Sequence, residues 1–236
     1  MTDYDKMPFG DTEGHLLKDI PDKYWEWASV EFMKPPQRHP DRVKLAKYGK
    51  RRVNKIKIIG LAGKAGNGKD CVAKILNARK YDSKGVLWEN RKYANKLKTI
   101  CKILTGVKEQ WSEEGKKTFV PAFGMTVREI QQVVGTDCLR DNLDKDVWVK
   151  ALFADYDPKQ RWVISDVRFP NEVNAIKERK GVVVKIERPD NDTEVPQHIS
   201  ETALDGHRFD YTIINDGSLD DLVSKTEEML DFFDLL

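Results

Sequence analysis

The sequence has few cysteines and no long apolar run, and each shortage excludes a class of protein. The three cysteines, Cys71, Cys101 and Cys138, are odd in number and widely spaced. They match neither a disulfide framework nor a zinc site, and they indicate a reducing compartment. No apolar stretch approaches the roughly 18 residues that a membrane span needs. The first ten residues carry acidic side chains where a signal peptide would be basic and then apolar. We therefore expect a cytoplasmic protein.

The chain also lacks a strong net charge. Its 41 Lys and Arg residues face 39 Asp and Glu residues, which leaves a formal charge of +2. No global field therefore draws it to nucleic acid. With 39% hydrophobic and 34% charged residues over 236 positions, the composition is that of a globular protein that can bury a real core.

What the sequence does contain is a glycine-rich loop behind a short apolar strand at residues 56–61. The loop fits the pattern G-x-x-x-x-G-K, in which glycines let successive backbone N–H groups point at a phosphate. The lysine adds positive charge near the β- and γ-phosphates, and the following helix offers its N-terminus. The sequence therefore predicts a phosphate-binding loop. Its residues are Gly63, Lys64, Ala65, Gly66, Asn67, Gly68 and Lys69.

The residue after the lysine departs from the common pattern. A Ser or Thr usually stands there and contacts magnesium, whereas this chain has Asp70, followed by Cys71. A carboxylate can also hold magnesium, directly or through water, because hard cations take oxygen ligands. We therefore predict that Asp70 is a metal ligand.

Residues 1–50 look separate from the rest, and we predict an N-terminal module with a basic linker, followed by a P-loop domain over residues 51–236. Tyr24, Trp27, Ala28 and Phe32 recur at helical spacing, and we expect a miniature core from them rather than a base-stacking platform. The pattern of residues 7–33 resembles a small domain of unknown biochemical role, described as a quorum-sensing-regulated virulence factor. The basic run that begins at Asp41 is expected to be a solvated surface rather than a nucleic-acid contact.

After the loop, strand and helix patterns alternate, which predicts an α/β fold with a parallel sheet and helices on both faces. Strands are expected at residues 162–165, 182–186 and 211–214, and helices at 93–104, 126–135, 141–156 and 171–180, with a last helix capped by Ser218. Thr126 and Glu129 form a capping-box pattern, and Gly106 is a helix stop. Leu143, Val147, Leu152 and Phe153 are expected on the buried side of the 141–156 helix. Residues 79–93 are expected to be irregular, and 107–125 mobile.

Two groups of residues can supply chemistry beside the loop. Asp166 and Arg168 follow the strand at 162–165, and ligands of open α/β sheets collect at the carboxyl ends of strands. Asp166 could hold magnesium or orient the acceptor. A second group of cations could neutralise an acceptor phosphate, Arg128 first because it lies one turn before Gln132. The group consists of Lys98, Arg128, Arg140 and Lys150.

Several segments, taken together and in order, resemble the deoxynucleoside monophosphate kinases of tailed bacteriophages, best known from the T-even phages. The resemblance covers about residues 55–236, and it includes the Asp after the loop lysine, although Cys71 stands where that family often has Thr. The segments are Gly63 to Asp70, Ala94 to Lys98, Arg128 to Asp137, Trp148 to Lys150, Asp166-x-Arg168 with Glu172, Arg188-Pro189, His198-Ile199-x-Glu201, and Asn215 to Ser218.

The resemblance implies a P-loop kinase fold related to adenylate kinase, with ATP and Mg²⁺ as cosubstrates and a dNMP, such as dTMP or dGMP, as acceptor. Lys69, Arg168 and Asp166 would be catalytic, with Asp70 and Asp166 near the metal. Gly63 to Cys71, Asn215 and Gly217 would bind ATP. A lid over residues 188–207 would include Arg188, His198 and Glu201, although a plain loop hydrogen bond is an equal alternative for His198. Around the deoxynucleotide would lie Leu97, Lys98, Arg128, Gln132, Gly135, Thr136, Asp137, Arg140, Trp148 and Glu172.

The same resemblance favours a homodimer that makes DNA precursors in the cytoplasm of an infected host. Two other functions stay open. One is another small-molecule P-loop kinase, such as a phosphomevalonate-kinase-like one, since some of these also carry Gly-Lys-Asp. The other is a nucleotide-binding adaptor that residues 1–50 tether to a replication complex. A nucleic-acid-dependent ATPase is disfavoured by the balanced charge.

Overall fold

The computed structural model describes residues 5–8, 13–33, 40–53, 56–78, 88–108, 112–189 and 202–235. The chain divides into two compact units. One consists of Met1–Lys55 with Phe232–Leu235, and the other contains Ile56–Asp231. The assignment of a separate role to each part of the chain stays a prediction. In the described part of the chain, no helix has the length and apolar character needed to span a membrane.

The first unit is built from a 3₁₀ turn, Leu17–Asp19, and two helices, α1 (Asp22–Glu31) and α2 (Pro40–Val53). The expected miniature core is confirmed, but its aromatic register is corrected. Trp25 is fully buried against Tyr48, whereas Trp27 is 52% exposed. Trp25 and Ala28 are three residues apart, so their side chains lie on the same face of α1, which packs on the core. Trp27 lies on the other side of the helix. The buried members are Met7, Leu17, Ile20, Trp25, Ala28, Phe32, Leu45, Ala46 and Tyr48.

The second unit contains a five-stranded parallel sheet with the strand order β2-β5-β1-β6-β7, flanked by helices, so the predicted α/β fold with a parallel sheet is confirmed. Its strands are β1 (Ile58–Ala62), β2 (Trp88–Arg91), β5 (Arg161–Val167), β6 (Val182–Glu187) and β7 (Tyr211–Ile214), and β3 (Phe119–Val120) and β4 (Met125–Thr126) form a small antiparallel pair. The helices are α3 (Lys69–Ala78), α4 (Ala94–Thr105), α5 (Glu113–Lys116), α6 (Val127–Gln132), a π-helix (Val133–Asp141), α7 (Val147–Phe153), α8 (Pro170–Glu178) and α9 (Leu219–Phe232).

The central strand β1 explains why the site lies where it does. All five of its residues are buried, and it pairs with β5 on one side and β6 on the other. A strand enclosed on both faces and both edges reads as a continuous apolar run, which is why the sequence signal was clear. Because the strands are parallel, the carboxyl ends of β1, β2, β5 and β6 meet at one edge of the sheet.

Two local predictions are wrong. The described part of residues 79–93 contains the strand β2 instead of irregular chain, and residues 79–87 lie outside the described residues. The mobility expected of residues 107–125 stays a prediction, and their described part contains α5 and β3. The helix that follows Thr126 does not end at Gly135. Gly135 does not have the positive φ of a glycine that ends a helix, and the chain continues through it as the π-helix. By contrast, Gly106 has φ +70° and ends α4 as expected.

The predicted helix over 141–156 is shortened to α7, and Leu143 is 68% exposed rather than buried. Asp144 explains the late start of this helix, since its carboxylate accepts a 2.8 Å hydrogen bond from the backbone N–H of Asp146 and so stabilises a turn before α7. Val147 packs against the core, and Leu152 and Phe153 are buried as expected.

Candidate active site

The loop between β1 and α3 has the backbone shape that the glycine pattern predicts. Gly63, Gly66 and Gly68 have φ values of +138°, +80° and +100°, which side chains other than glycine rarely adopt. The Lys69 ammonium donates hydrogen bonds to the carbonyl oxygens of Gly63 (2.6 Å) and Lys64 (2.7 Å). The loop thus curls around its own lysine, and the N-terminus of the ten-residue helix α3 follows directly.

Two buried asparagines hold this loop against the sheet. The side-chain amide of Asn67 donates to the carbonyl oxygen of Ile186 at the end of β6 (2.9 Å), and the amide of Asn215 donates to the carbonyl oxygen of Asn67 (2.9 Å). Asn215 follows β7, and its backbone N–H donates to Glu187 (2.7 Å). In the described residues Asn215 therefore contacts the loop itself. Its predicted place beside the adenine stays a prediction.

Asp70 lies in a polar cluster that the sequence did not reveal. Its Oδ1 accepts hydrogen bonds from the Lys92 ammonium (2.6 Å) and the Ser165 hydroxyl (3.1 Å), and Ser165 lies 3.0 Å from the side-chain oxygen of Asn90. Burial alone would raise the pKa of Asp70, but Lys92, Ser165 and Lys69 together lower it below its ordinary value. Asn90 lies in β2 and Lys92 directly follows it. This strand was not predicted, so no sequence signal placed the two residues here.

Asp166 holds the N-terminus of α4. Its two carboxylate oxygens accept the backbone N–H groups of Tyr93 (2.9 Å) and Ala94 (3.0 Å), as an acidic group at a helix N-terminus does. The pKa of Asp166 is raised above its ordinary value, because the effect of burial outweighs the lowering effect of these two hydrogen bonds. The predicted catalytic and metal roles of Asp166 stay predictions, and both oxygens already have structural partners. Among the described residues, no three His, Cys, Asp or Glu side chains gather as a metal-binding group.

Glu172 connects Arg168 to Arg140. One of its oxygens accepts the backbone N–H groups of Arg168 (2.7 Å) and Phe169 (3.1 Å), and the other pairs with the Arg140 guanidinium at 3.1 Å. Arg140 also stacks over the Phe169 ring, 3.8 Å from its centroid. Glu172 is only 2% exposed, and burial together with the charge of Asp166 raises its pKa to about 7 against the lowering effect of the hydrogen bonds and Arg140. The backbone before α8 is thereby held rigidly where it carries Arg168.

Part of the predicted acceptor set packs together around the π-helix. The indole N–H of Trp148 donates to the carbonyl oxygen of Gly135 (2.9 Å), and a Cβ on Gly135 would lie 2.8 Å from a methyl carbon of Leu97. Trp148 is buried. An open cleft of about 400 Å³ lies along α6 and the π-helix, and its lining residues are Met125, Glu129, Gln132, Val133, Thr136 and Asp137.

The cations predicted to bind the acceptor phosphate have different environments. Lys98 is half-buried, and burial, followed by the charges of Lys116 and Lys92, lowers its pKa; the carboxylates of Asp70 and Asp166 act on it in the opposite sense. The charge of Lys98 therefore interacts with the charges of Lys92, Asp70 and Asp166. Arg128 is exposed on α6, and Lys150 forms an ion pair with Asp144.

The remaining predicted residues are exposed or lie outside the described residues. Lys64 and Cys71 are exposed, as is Arg188 just after β6. A Cβ on Gly217 would lie 2.5 Å from the carboxylate of Asp221, the residue whose backbone N–H the Ser218 hydroxyl accepts to cap α9. His198 and Glu201 lie outside the described residues.

Comparison with known proteins points to one family. Residues 96–226 match the family model described as deoxynucleotide monophosphate kinase. The chain is 33% identical over 196 residues to a putative deoxynucleotide monophosphate kinase of Acanthamoeba polyphaga mimivirus. This match covers 74% of this chain and 96% of that protein. It is 31% identical over 139 residues to the deoxynucleotide monophosphate kinase of Enterobacteria phage T4, covering 56% of this chain and 50% of that protein. A similar enzyme of Escherichia phage RB69 is 29% identical over 110 residues, 44% of this chain and 45% of that protein.

Proposed function

The chain belongs to the deoxynucleotide monophosphate kinase family, and from this premise we propose that it transfers the γ-phosphoryl group of ATP to the 5′-phosphate of a deoxynucleoside monophosphate. An oxygen of the acceptor phosphate forms the new bond to the γ-phosphorus. The bond from that phosphorus to the β,γ-bridging oxygen breaks, and its electron pair leaves with ADP. The observation that carries the proposal is the phosphate loop beside the carboxyl end of β5, joined by the 3.1 Å contact of Asp70 and Ser165.

Lys69 is the first cation of the proposed reaction. Its ammonium lies over the loop on the carbonyl oxygens of Gly63 and Lys64, so it can turn to the β- and γ-phosphates without a change in the backbone. The inward N–H groups of the loop and the N-terminus of α3 add positive potential at the same place. Positioning and charge compensation are most of what phosphoryl transfer requires from a protein.

The loop also fits a magnesium ion. Asp70 offers a partly exposed carboxylate of lowered pKa, Ser165 offers a hydroxyl oxygen, and the Lys92 ammonium already lies against the carboxylate as a cation would. Oxygen donors of this kind suit Mg²⁺, which keeps several waters and is held mainly through substrate phosphates. When bound with ATP, the ion would neutralise charge on the phosphates. Asp70 is better placed to hold it than Asp166, whose two oxygens accept backbone N–H groups.

The acceptor is proposed to lie on the side of the loop that Lys98 and Arg168 share. Lys98 feels the carboxylates of Asp70 and Asp166, and Arg168 acts on Asp166, so both cations belong to the carboxyl edge of the sheet. Glu172 fixes the backbone of Arg168, and the Arg168 guanidinium is the group assigned to stabilise the transferring phosphoryl group. The deoxynucleoside would extend from there toward Gly135 and the neighbouring cleft.

The experiment is a coupled ADP-release assay with ATP, Mg²⁺ and each of the four common dNMPs. We expect turnover with dTMP or dGMP, and a loss of about 10²- to 10³-fold in Lys69→Ala and in Arg168→Ala, since each removes one charge-stabilising donor. Lys159→Ala is the matched control, because it removes one exposed positive charge away from the loop. ATP binding without turnover on any dNMP would refute the proposed reaction.

Two expectations about partners stay predictions. A homodimer predicts that light scattering of the full chain gives twice the 27.2 kDa monomer mass, and a monomer mass would contradict it. A tether in residues 1–50 predicts that binding to replication proteins or DNA depends on these residues while turnover does not, so that loss of turnover alone would argue against it.

A further inference from the structure

The Lys92 ammonium occupies the oxygen of Asp70 that the proposed metal role requires. Lys92 follows β2 directly, and the pairing of Arg91 with Ile164 sets Lys92 level with Ser165 on the neighbouring strand. From there its Nζ reaches Asp70 Oδ1 at 2.6 Å, and the side chains of Lys92 and Asp70 are 28% and 63% exposed. Ser165 contacts the same oxygen. One carboxylate oxygen therefore carries an ammonium and a hydroxyl at once.

An ammonium in this position excludes a divalent cation from the same oxygen. Mg²⁺ binds a carboxylate oxygen at about 2.0–2.1 Å, so Lys92 and the ion would face each other across one oxygen at a distance where like charges repel strongly. A metal on the other oxygen of Asp70 would still lie within a few ångströms of the ammonium. Lys92 must leave Asp70 for a metal to bind well there.

Other positive charges strengthen this barrier when no nucleotide is present. Lys69 acts on Asp70, and Lys98 lies close enough for its charge to interact with both Lys92 and Asp70. Asp70 and Asp166 are the carboxylates that face these cations. The site is therefore electropositive for a metal that arrives alone. Nucleotide phosphates would reverse this balance, because they supply the anionic oxygens that Lys92 loses when it turns away from Asp70.

We propose that Lys92 is a positioning residue that competes with the divalent cation for Asp70, so that the metal binds this kinase well only together with the phosphates of a nucleotide. The inference rests on the proposed metal role of Asp70. It adds a residue that neither the loop motif nor the family comparison indicates. Its consequence is that the empty enzyme keeps Asp70 oriented without holding a metal that would hinder the entry of a metal–nucleotide complex.

The test measures Mn²⁺ binding to the full chain without nucleotide, by the loss of the free Mn²⁺ signal in electron paramagnetic resonance. We expect weak binding in the unmodified protein, and binding at least about tenfold tighter in Lys92→Met, since a unit charge near the site is removed. Lys92→Gln should also tighten binding, and it keeps a hydrogen bond to Asp70 if the methionine variant folds poorly. Asp70→Asn in the Lys92→Met background should abolish the gain.

Lys96→Met is the matched control, because it removes an ammonium from the surface ion pair with Asp155 (2.9 Å) in the same unit. Equal Mn²⁺ affinity in both Lys92 variants, Lys96→Met and the unmodified protein would overturn the proposal. So would a gain that survives Asp70→Asn, since the metal would then bind elsewhere. Neither result bears on the dNMP turnover assay, so failure here is distinguishable from failure of the kinase proposal.

Discussion

The side-chain amide of Asn215 donates a 2.9 Å hydrogen bond to the carbonyl oxygen of Asn67, across 148 residues of sequence. Asn67 in turn donates to the carbonyl oxygen of Ile186, so the phosphate loop is tied to the ends of two strands. Both asparagines are nearly buried, at 5% and 9% exposure, and such bonds are costly to leave unmade. The shape of the loop therefore depends on residues far from the motif.

Replacing Asn215 by Ala should loosen this loop. The buried carbonyl of Asn67 loses its donor, which costs about 1–3 kcal/mol in the free energy of unfolding, and ATP affinity should fall because the N–H groups are no longer held in position. Urea denaturation and calorimetric titration with ATP measure the two effects. Asn171→Ala is the control, since that amide makes exposed hydrogen bonds on α8. Equal ATP affinity in Asn215→Ala and the control would show that the loop holds its shape without this bond.

Gly63 should tolerate no side chain. A Cβ there would overlap the backbone carbonyl oxygen of Ile186, and its φ of +138° is itself unfavourable for other residues. Gly63→Ala should therefore lose ATP binding and more than about 3 kcal/mol of stability. Gly124 has a φ of +62°, and a Cβ there would have no atom within 4 Å. Gly124→Ala therefore measures only the cost of a positive φ in a residue with a side chain, about 1–2 kcal/mol. Similar unfolding midpoints for the two variants would contradict the predicted overlap.

The raised pKa of Glu172 predicts a pH dependence of stability. Between pH 4.5 and about 7 the unfolded chain has released this proton while the folded protein keeps it, so stability falls as pH rises, by at most about 1.4 kcal/mol per pH unit. Above that window both states are ionised and this slope ends. Glu172→Gln should make this slope shallower.

Denaturation curves at several pH values compare Glu172→Gln with the unmodified protein and with Glu178→Gln, whose side chain is 76% exposed. Asp166, whose pKa burial also raises, adds a slope of the same sign, and its charge interacts with that of Glu172. The slope of Glu172→Gln is therefore expected to be shallower than that of the other two proteins, not flat. A slope in Glu172→Gln as steep as in the other two would contradict the assignment.

The stability of the first unit should depend strongly on Trp25 and only weakly on Trp27. Trp25 is fully buried, and Trp25→Ala should lower the free energy of unfolding by about 3–5 kcal/mol. Trp27 is 52% exposed, and Trp27→Ala should change stability by less than about 1 kcal/mol. Hydrogen exchange over residues 13–33 of the full chain measures the local effect. Comparable loss of protection in both variants would mean that Trp27 is also part of the core.

Local signals were interpreted correctly where a few neighbouring residues decide the structure. Thr126 and Glu129 form the predicted capping box, and Tyr211–Ile214 is the predicted strand. Each of these depends on backbone groups within four residues or on one apolar run. The wrong predictions lie where a distant partner decides. The sequence of the strand β2 contains the polar residues Glu89 and Asn90 and has no clear strand pattern. Its pairing with β5 is what makes it a strand.

The sequence by itself determined that a glycine-rich loop of the phosphate-binding pattern lies between a buried strand and a helix, because glycine spacing and apolar patterning act through local backbone geometry. It also determined the fold class, since alternating strands and helices admit few arrangements. Only the tertiary structure decided that Asn215 braces the loop, that Asp166 caps α4 and that Lys92 reaches Asp70. Those contacts depend on which strands lie side by side at the carboxyl edge of the sheet. Strand order is set by the packing of the whole core, and no short stretch of sequence contains it.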